Sequence, residues 1–151
     1  MNYSIRFATI QDTQTILDFI IALAKYEKLE HQVTATASQL EKTLFGMSPQ
    51  AEAILGFEGE TPVGFALFFS NYSTFLGKAG IHLEDLFVLE EYRGRGYGKA
   101  LLEKIQTIAQ DRGAGRLEWN VLDWNQSAID FYESMGAKPV SGWTTYRMVY
   151  S

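Results

Sequence analysis

Cysteine is absent from the 151-residue chain, which excludes disulfide frameworks, thiolate zinc sites and cysteine nucleophiles. Histidine is scarce. His31 and His82 are the only two, too few and too scattered for a histidine-rich metal site, so no metal is expected. No apolar run approaches the roughly 18 residues of a membrane span, and the N-terminus lacks a secretory pattern; no membrane partner is expected, and the cytoplasm is the default compartment. Basic residues are outnumbered, with 13 Lys and Arg against 18 Asp and Glu and a net charge of −5. That balance speaks against sequence-independent nucleic-acid binding, which neutralises phosphates with Lys and Arg, and leans towards a cationic substrate. Internal repeats, low-complexity runs and linkers are also missing. The length suits one domain, residues 1–151, with enough interior for a full core. Hydrophobic residues at 46% and charged ones at 21% are ordinary for a globular chain.

What is present is an alternation of strand and helix patterns. Ser4 to Ala8 alternates as a short strand. Thr9-x-x-Asp12 is a capping-box start for a helix with Ile16, Leu17, Ile20, Leu23 and Ala24 on its apolar face, ending near Tyr26–Leu29. Thr36-x-x-Gln39 opens a second helix that stops before Ser48-Pro49. Residues 51–57 and 62–70, joined by Glu58-Gly59-Glu60-Thr61, predict a β-hairpin. Asn71 to Gly80 is expected to be a loop, and Trp143 to Tyr150 a last strand.

The most informative stretch runs from Leu83 to Gly98. Its first half, through Val88, has the content of a buried strand; its second half holds Gly94, Gly96 and Gly98; a helical pattern follows, with Leu101, Leu102, Ile105, Ile108 and Ala109 on one face. Glycines let backbone approach a ligand closely, and free N–H groups at a helix start form an anion nest, beside which Arg93 and Arg95 add positive charge. A phosphate site is expected. Lys99-Ala100 breaks the Walker pattern, and Lys99 stands where a dinucleotide fingerprint has its third glycine.

What remains, Arg-x-x-Gly-x-Gly from Arg93 to Gly98, resembles the pyrophosphate signature of the GNAT superfamily of N-acetyltransferases, whose ligand is acetyl-coenzyme A (acetyl-CoA). The order that follows supports the resemblance: helix, strand 117–122, then Asn125 leading a helix to Phe131-Tyr132 and Gly136-Ala137. Ala24-Lys25-Tyr26-Glu27, Leu83-Glu84-Asp85, Tyr92-Arg93-Gly94 and Leu122-Asp123-Trp124-Asn125-Gln126 are similar to the diamine acetyltransferase group, and within it to the thialysine (S-aminoethylcysteine) acetyltransferases more than to the spermidine/spermine enzymes. The resemblance implies an α/β (α+β) fold: a mixed, mostly antiparallel twisted sheet of about six or seven strands flanked by about four helices. It also implies a homodimer, with the apolar last strand part of the interface.

Acetyl transfer to an amine needs a neutral nitrogen, a place for the oxyanion and a proton for the thiolate. An alkylammonium has a pKa of about 10.4, so a carboxylate must help remove its proton. Glu84 and Asp85 are expected on opposite sides of the central strand, either as chemistry or as solvated strand-end charges. The resemblance assigns Glu84 as general base and Asp85 to the bound amine. It further implies free backbone N–H groups on Leu86, Phe87 and Val88 where that strand splays from its neighbour, a cofactor turn comprising Arg93, Gly94, Arg95, Gly96, Tyr97, Gly98 and Lys99, a cofactor contact from Asn125, and Tyr132 as the acid that protonates the thiolate. From spacing alone, Tyr132 reads as a core tyrosine and Asn125 as a helix cap.

Glu27, with Tyr72, Phe75 and Trp143, supplies a charge and aromatic faces suited to an amine. Ser73 and Ser141 stand where the spermidine/spermine enzymes are acidic, which favours a short amine over spermine. The function expected is N-acetylation of a small primary amine by direct attack in a ternary complex. Alternatives are a protein lysine or N-terminal acetyltransferase and a non-catalytic acyl-coenzyme A-binding module.

Overall fold

In the computed structural model, residues 2–151 are described. They divide into one unit up to Asn120 and a second, Val121–Ser151.

The first unit is built on a sheet of strands β1 (Tyr3–Phe7), β2 (Glu52–Glu58), β3 (Thr61–Ser73), β4 (Lys78–Val88) and β5 (Leu117–Glu118), in that spatial order. The first three pairings are antiparallel and the β4–β5 pairing is parallel. Helix α1 (Thr13–Tyr26) follows a short 3₁₀ turn in which the Thr9 N–H donates to the Asp12 carboxylate at 2.7 Å. Helix α2 (Ala37–Phe45) begins with the reciprocal Thr36–Gln39 capping box. Ile16, Phe19 and Leu23 of α1 and Leu44 of α2 bury against Leu55, Phe65, Leu67 and Phe87 on one face of the sheet. Helix α3 (Tyr97–Asp111) buries Leu101, Leu102, Ile105, Ile108 and Ala109, and a side chain at Gly64 would meet Leu101, which places α3 on the opposite face. The result is a sheet between two helical layers.

Two expectations about this unit are corrected. Residues 71–80 are mostly strand: β3 continues to Ser73 and β4 begins at Lys78, leaving only a tight turn closed by the Leu76 N–H donating to Ser73 Oγ at 3.2 Å. The sheet has five strands rather than six or seven: β5 pairs with β4 only at Ile81–Leu117 and His82–Glu118, and no strand follows it among the described residues. Strand β4 is itself irregular. It pairs Phe68 with Leu83 and Leu67 with Asp85, so Glu84 is an extra, unopposed residue in a β-bulge. A bulge bends its strand and increases the local twist.

In the second unit, α4 (Gln126–Ser134) is capped by Asn125, whose Oδ1 accepts from the Ala128 N–H at 3.2 Å. It closes at Gly136, at φ 93°, with the Ala137 N–H donating to the Tyr132 carbonyl at 3.2 Å. The expected strand 143–150 is not formed among the described residues; Trp143, Tyr146, Met148, Val149 and Tyr150 are exposed. A β-pattern marks what a strand could bury, but a strand exists only where a neighbouring backbone completes its ladder.

Candidate active site

The glycine turn sits between β4 and α3. Gly94 and Gly96 have φ of 79° and 82°, the left-handed region that an L side chain rarely adopts, and a Cβ at either would meet no atom within 4 Å. Gly96 is the N-cap of α3. The N–H groups of Tyr97, Gly98 and Lys99 therefore belong to the helical turn that has no intrahelical acceptors, where an anion is favoured.

Both arginines of the turn already have protein partners. Arg93 Nε donates to the Val88 carbonyl at 2.9 Å, and its guanidinium lies 4.7 Å from the Tyr26 ring centroid and 5.2 Å from that of Phe87. It ties the turn to the ends of α1 and β4. Arg95 donates to Glu58 Oε2 at 2.6 Å and lies over the Tyr92 ring.

An acidic group forms at the bulge. Asp85 is pushed up to about 7, first by burial, then by the charges of Glu84 and Glu27. Glu27, at the C-cap of α1, is also raised, first by burial and then by Glu84. Glu84 itself is open to water, its side chain 56% exposed, with Oε1 3.8 Å from His82 Nε2. The simple alternation of Glu84 and Asp85 across the strand is modified by the bulge, and both Asp85 and Glu27 feel the charge of Glu84. Like charges that raise each other's pKa gain most from a cation placed among them. Beyond His82, β4 has no β5 partner, so residues 86–88 lie on an edge the parallel ladder does not reach.

The aromatic candidates are all exposed. Tyr72 is 66% exposed on β3, and Phe75, 90% exposed, lies in the β3–β4 turn. Trp143 is 79% exposed in the second unit. In the same unit Tyr132 is partly buried beside Phe131, at 5.5 Å between ring centroids, and Asn125 is buried. Ser73 is buried and closes the hairpin turn. Glu58 carried no signal in the sequence, since its partner Arg95 lies 37 residues away. Among the described residues no group of three or more His, Asp or Glu could hold a metal ion.

Residues 20–137 match the model of the acetyltransferase (GNAT) family. A thialysine N-epsilon-acetyltransferase of Bos taurus is 38% identical over 95% of this chain and 90% of that protein. An L-ornithine N5-acetyltransferase of Arabidopsis thaliana is 34% identical over 95% of this chain and 83% of that protein. An integron cassette protein from the mobile metagenome of V. cholerae superposes with a TM-score of 0.83 at 24% identity, covering 99% of this chain and 94% of that one, which speaks for the fold alone. The chain belongs to the acetyltransferase (GNAT) family, as an acetyl-CoA-dependent N-acetyltransferase.

Proposed function

We propose that the protein transfers the acetyl group of acetyl-CoA to the primary amine of a small zwitterionic or short diamine substrate of the thialysine and ornithine type, by direct attack in a ternary complex. The observation that carries this reading is the acidic group of Glu27, Glu84 and Asp85 at the bulge of β4, one strand-end away from the glycine turn. It suits an ammonium.

In this reading the backbone of Gly94–Lys99 holds the pyrophosphate, with Arg93 and Arg95 beside it and Asn125 as a further contact. The N–H groups of Leu86 and Val88 serve the pantetheine arm and the thioester carbonyl, whereas that of Phe87, opposite Phe65 and two residues before the Leu89 N–H that donates to the Val63 carbonyl, alternates towards β3; preorganised donors commonly lower a barrier by roughly 3–4 kcal/mol. Glu27 and Asp85 receive the ammonium. Glu84, half open to water, takes its proton directly or through a water molecule. The freed nitrogen attacks the carbonyl carbon, the C–S bond breaks as the tetrahedral intermediate collapses, Tyr132 donates its phenolic proton to the departing thiolate, and the second proton shed by the nitrogen as the amide forms returns to the Tyr132 phenolate through water. Tyr72, Phe75 and Trp143 supply aromatic faces to the amine. The chain works as one domain, as a homodimer in the cytoplasm; no helix among the described residues is long and apolar enough to cross a membrane.

Release of free thiol from acetyl-CoA, measured against thialysine, L-ornithine, lysine, spermidine, spermine and one lysine peptide, tests the assignment. A spermine-type amine needs acidic partners along its length, and Ser73 and Ser141 are uncharged where polyamine enzymes are acidic. Each unmatched ammonium forfeits about 1.5–3 kcal/mol of charge-assisted hydrogen bonding. Thialysine or ornithine should therefore give the highest kcat/KM. A preference for spermine would overturn the substrate assignment, and a preference for the peptide would make the enzyme a protein acetyltransferase.

A further inference from the structure

A turn built on two left-handed glycines has many conformations to lose, so its backbone donors are useful to a ligand only if something holds them. One end is held by Arg93, through the Val88 carbonyl and the Tyr26 and Phe87 rings. The other end is held from a distant element. Glu58 is the last residue of β2, paired with Tyr3 of β1 and Thr61 of β3, so two strands fix its backbone. One of its oxygens, Oε2, accepts from Arg95 Nη1 at 2.6 Å and from the Tyr97 hydroxyl at 2.5 Å. Those two donors flank Gly96, the N-cap of α3. The Glu58 side chain is only 8% exposed, while Arg95 is 45% exposed. Its carboxyl is held below the ordinary range, chiefly by the Tyr97 hydrogen bond and then by Arg95, against the opposing effect of burial.

A second layer backs the first. The Tyr97 ring stacks on Tyr3, with centroids 3.9 Å apart and planes within 4°, and the Tyr3 hydroxyl donates to the Tyr97 carbonyl at 3.3 Å. Space for that hydroxyl exists because residue 56 is glycine; a Cβ there would collide with it. Tyr3, Gly56, Glu58, Arg95 and Tyr97 thus form one continuous contact from the sheet edge to the start of α3. With Arg95 matched by a carboxylate, much of the positive charge beside the turn is already balanced, leaving the oriented N–H groups as the main attraction for an anion.

We propose that Glu58 is a positioning residue for the coenzyme: it clamps Arg95 and Tyr97 so that the glycine turn is set in its anion-binding shape before acetyl-CoA arrives. The proposal rests on reading that turn as the pyrophosphate site. Glu58 does not touch the reacting atoms, so it should govern coenzyme affinity and leave the chemical step alone.

The test uses the full chain with Glu58→Ala, Glu58→Gln and Tyr97→Phe, measuring the acetyl-CoA dissociation constant by calorimetry, steady-state KM and kcat, and Tm. Apparent affinity falls by the fraction of the protein that keeps the binding-competent turn, so Glu58→Ala should raise the acetyl-CoA Kd and KM on the order of tenfold, with kcat at saturation within about twofold. Glu58→Gln, which still accepts from Tyr97, should recover part of that loss, and Tyr97→Phe should show a smaller increase of the same sign. A lower KM in Glu58→Ala would overturn the proposal, because the carboxylate would then merely repel phosphate. So would an unchanged KM with a reduced Tm, the mark of a purely structural residue. Should Glu58→Ala not fold, an unchanged Kd in both Glu58→Gln and Tyr97→Phe overturns the proposal equally. Tight acetyl-CoA binding that survives Gly96→Asp would instead overturn the underlying assignment of the turn, and the clamp with it.

Discussion

Replacing Asp85 with Asn should make the protein more stable at alkaline pH and leave it nearly unchanged near pH 4. Asp85 ionises at about 7 in the folded protein against an ordinary 3.8, through burial first and then the charges of Glu84 and Glu27. Between those two values the folded protein keeps a proton on Asp85 that the unfolded chain has released. Stability therefore falls as pH rises through that window and levels off above about 7. The gap corresponds to roughly 4 kcal/mol at about 1.4 kcal/mol per pH unit. Glu84 is more than half exposed, so water and salt screen its share, and about 2–3 kcal/mol is the working value. Urea unfolding of both proteins at intervals from pH 4 to pH 9 measures it. The advantage of Asp85→Asn should grow steadily from pH 4 to pH 7 and then remain constant, amounting to roughly 5–10 °C in Tm. A pH-independent difference, or a variant less stable than the unaltered protein at pH 8, would show that Asp85 is ionised and satisfied in the folded state, and the reasoning about the acidic group would fail.

The remaining predictions concern the coenzyme and the acid. Gly96→Asp places a side chain at φ 82° and a negative charge at the start of α3, so acetyl-CoA binding measured by titration in excess EDTA should be lost, while the unaltered protein binds normally in the chelator. Tyr132→Phe should lower kcat by about 10²–10⁴-fold with coenzyme affinity almost intact, the loss of one positioned acid; full kcat with a lower Tm would make it a core tyrosine.

Several features were legible in the chain because their causes are local. The five apolar positions from Leu101 to Ala109 lie on one face of any helix, and all five are buried. Thr36 and Gln39 cap α2 because a capping box closes within four residues. The glycine-rich turn was legible because the lack of a Cβ belongs to each glycine alone; the structure shows Gly94 and Gly96 using that freedom at positive φ. The family was legible for a related reason: its motifs are short runs whose backbone requirements are met within each run.

Strand lengths were not legible, because a ladder depends on its partner. The patterns at 117–122 and 143–150 suggested more strand than the two residues of β5. The bulge that leaves Glu84 unopposed arises from the register between β3 and β4, and no alternation within 83–88 encodes it. Arg93 and Arg95 looked like free phosphate ligands in the sequence; their partners Tyr26 and Glu58 come from α1 and β2. The sequence by itself determined which residues cap, turn and face inward, since those depend on neighbours within a few positions. Only the tertiary structure decided which charges meet, because pairing Glu58 with Arg95, or Glu27 with Asp85, requires the sheet to bring distant segments within reach of a Coulomb interaction that fades over a few ångströms of water.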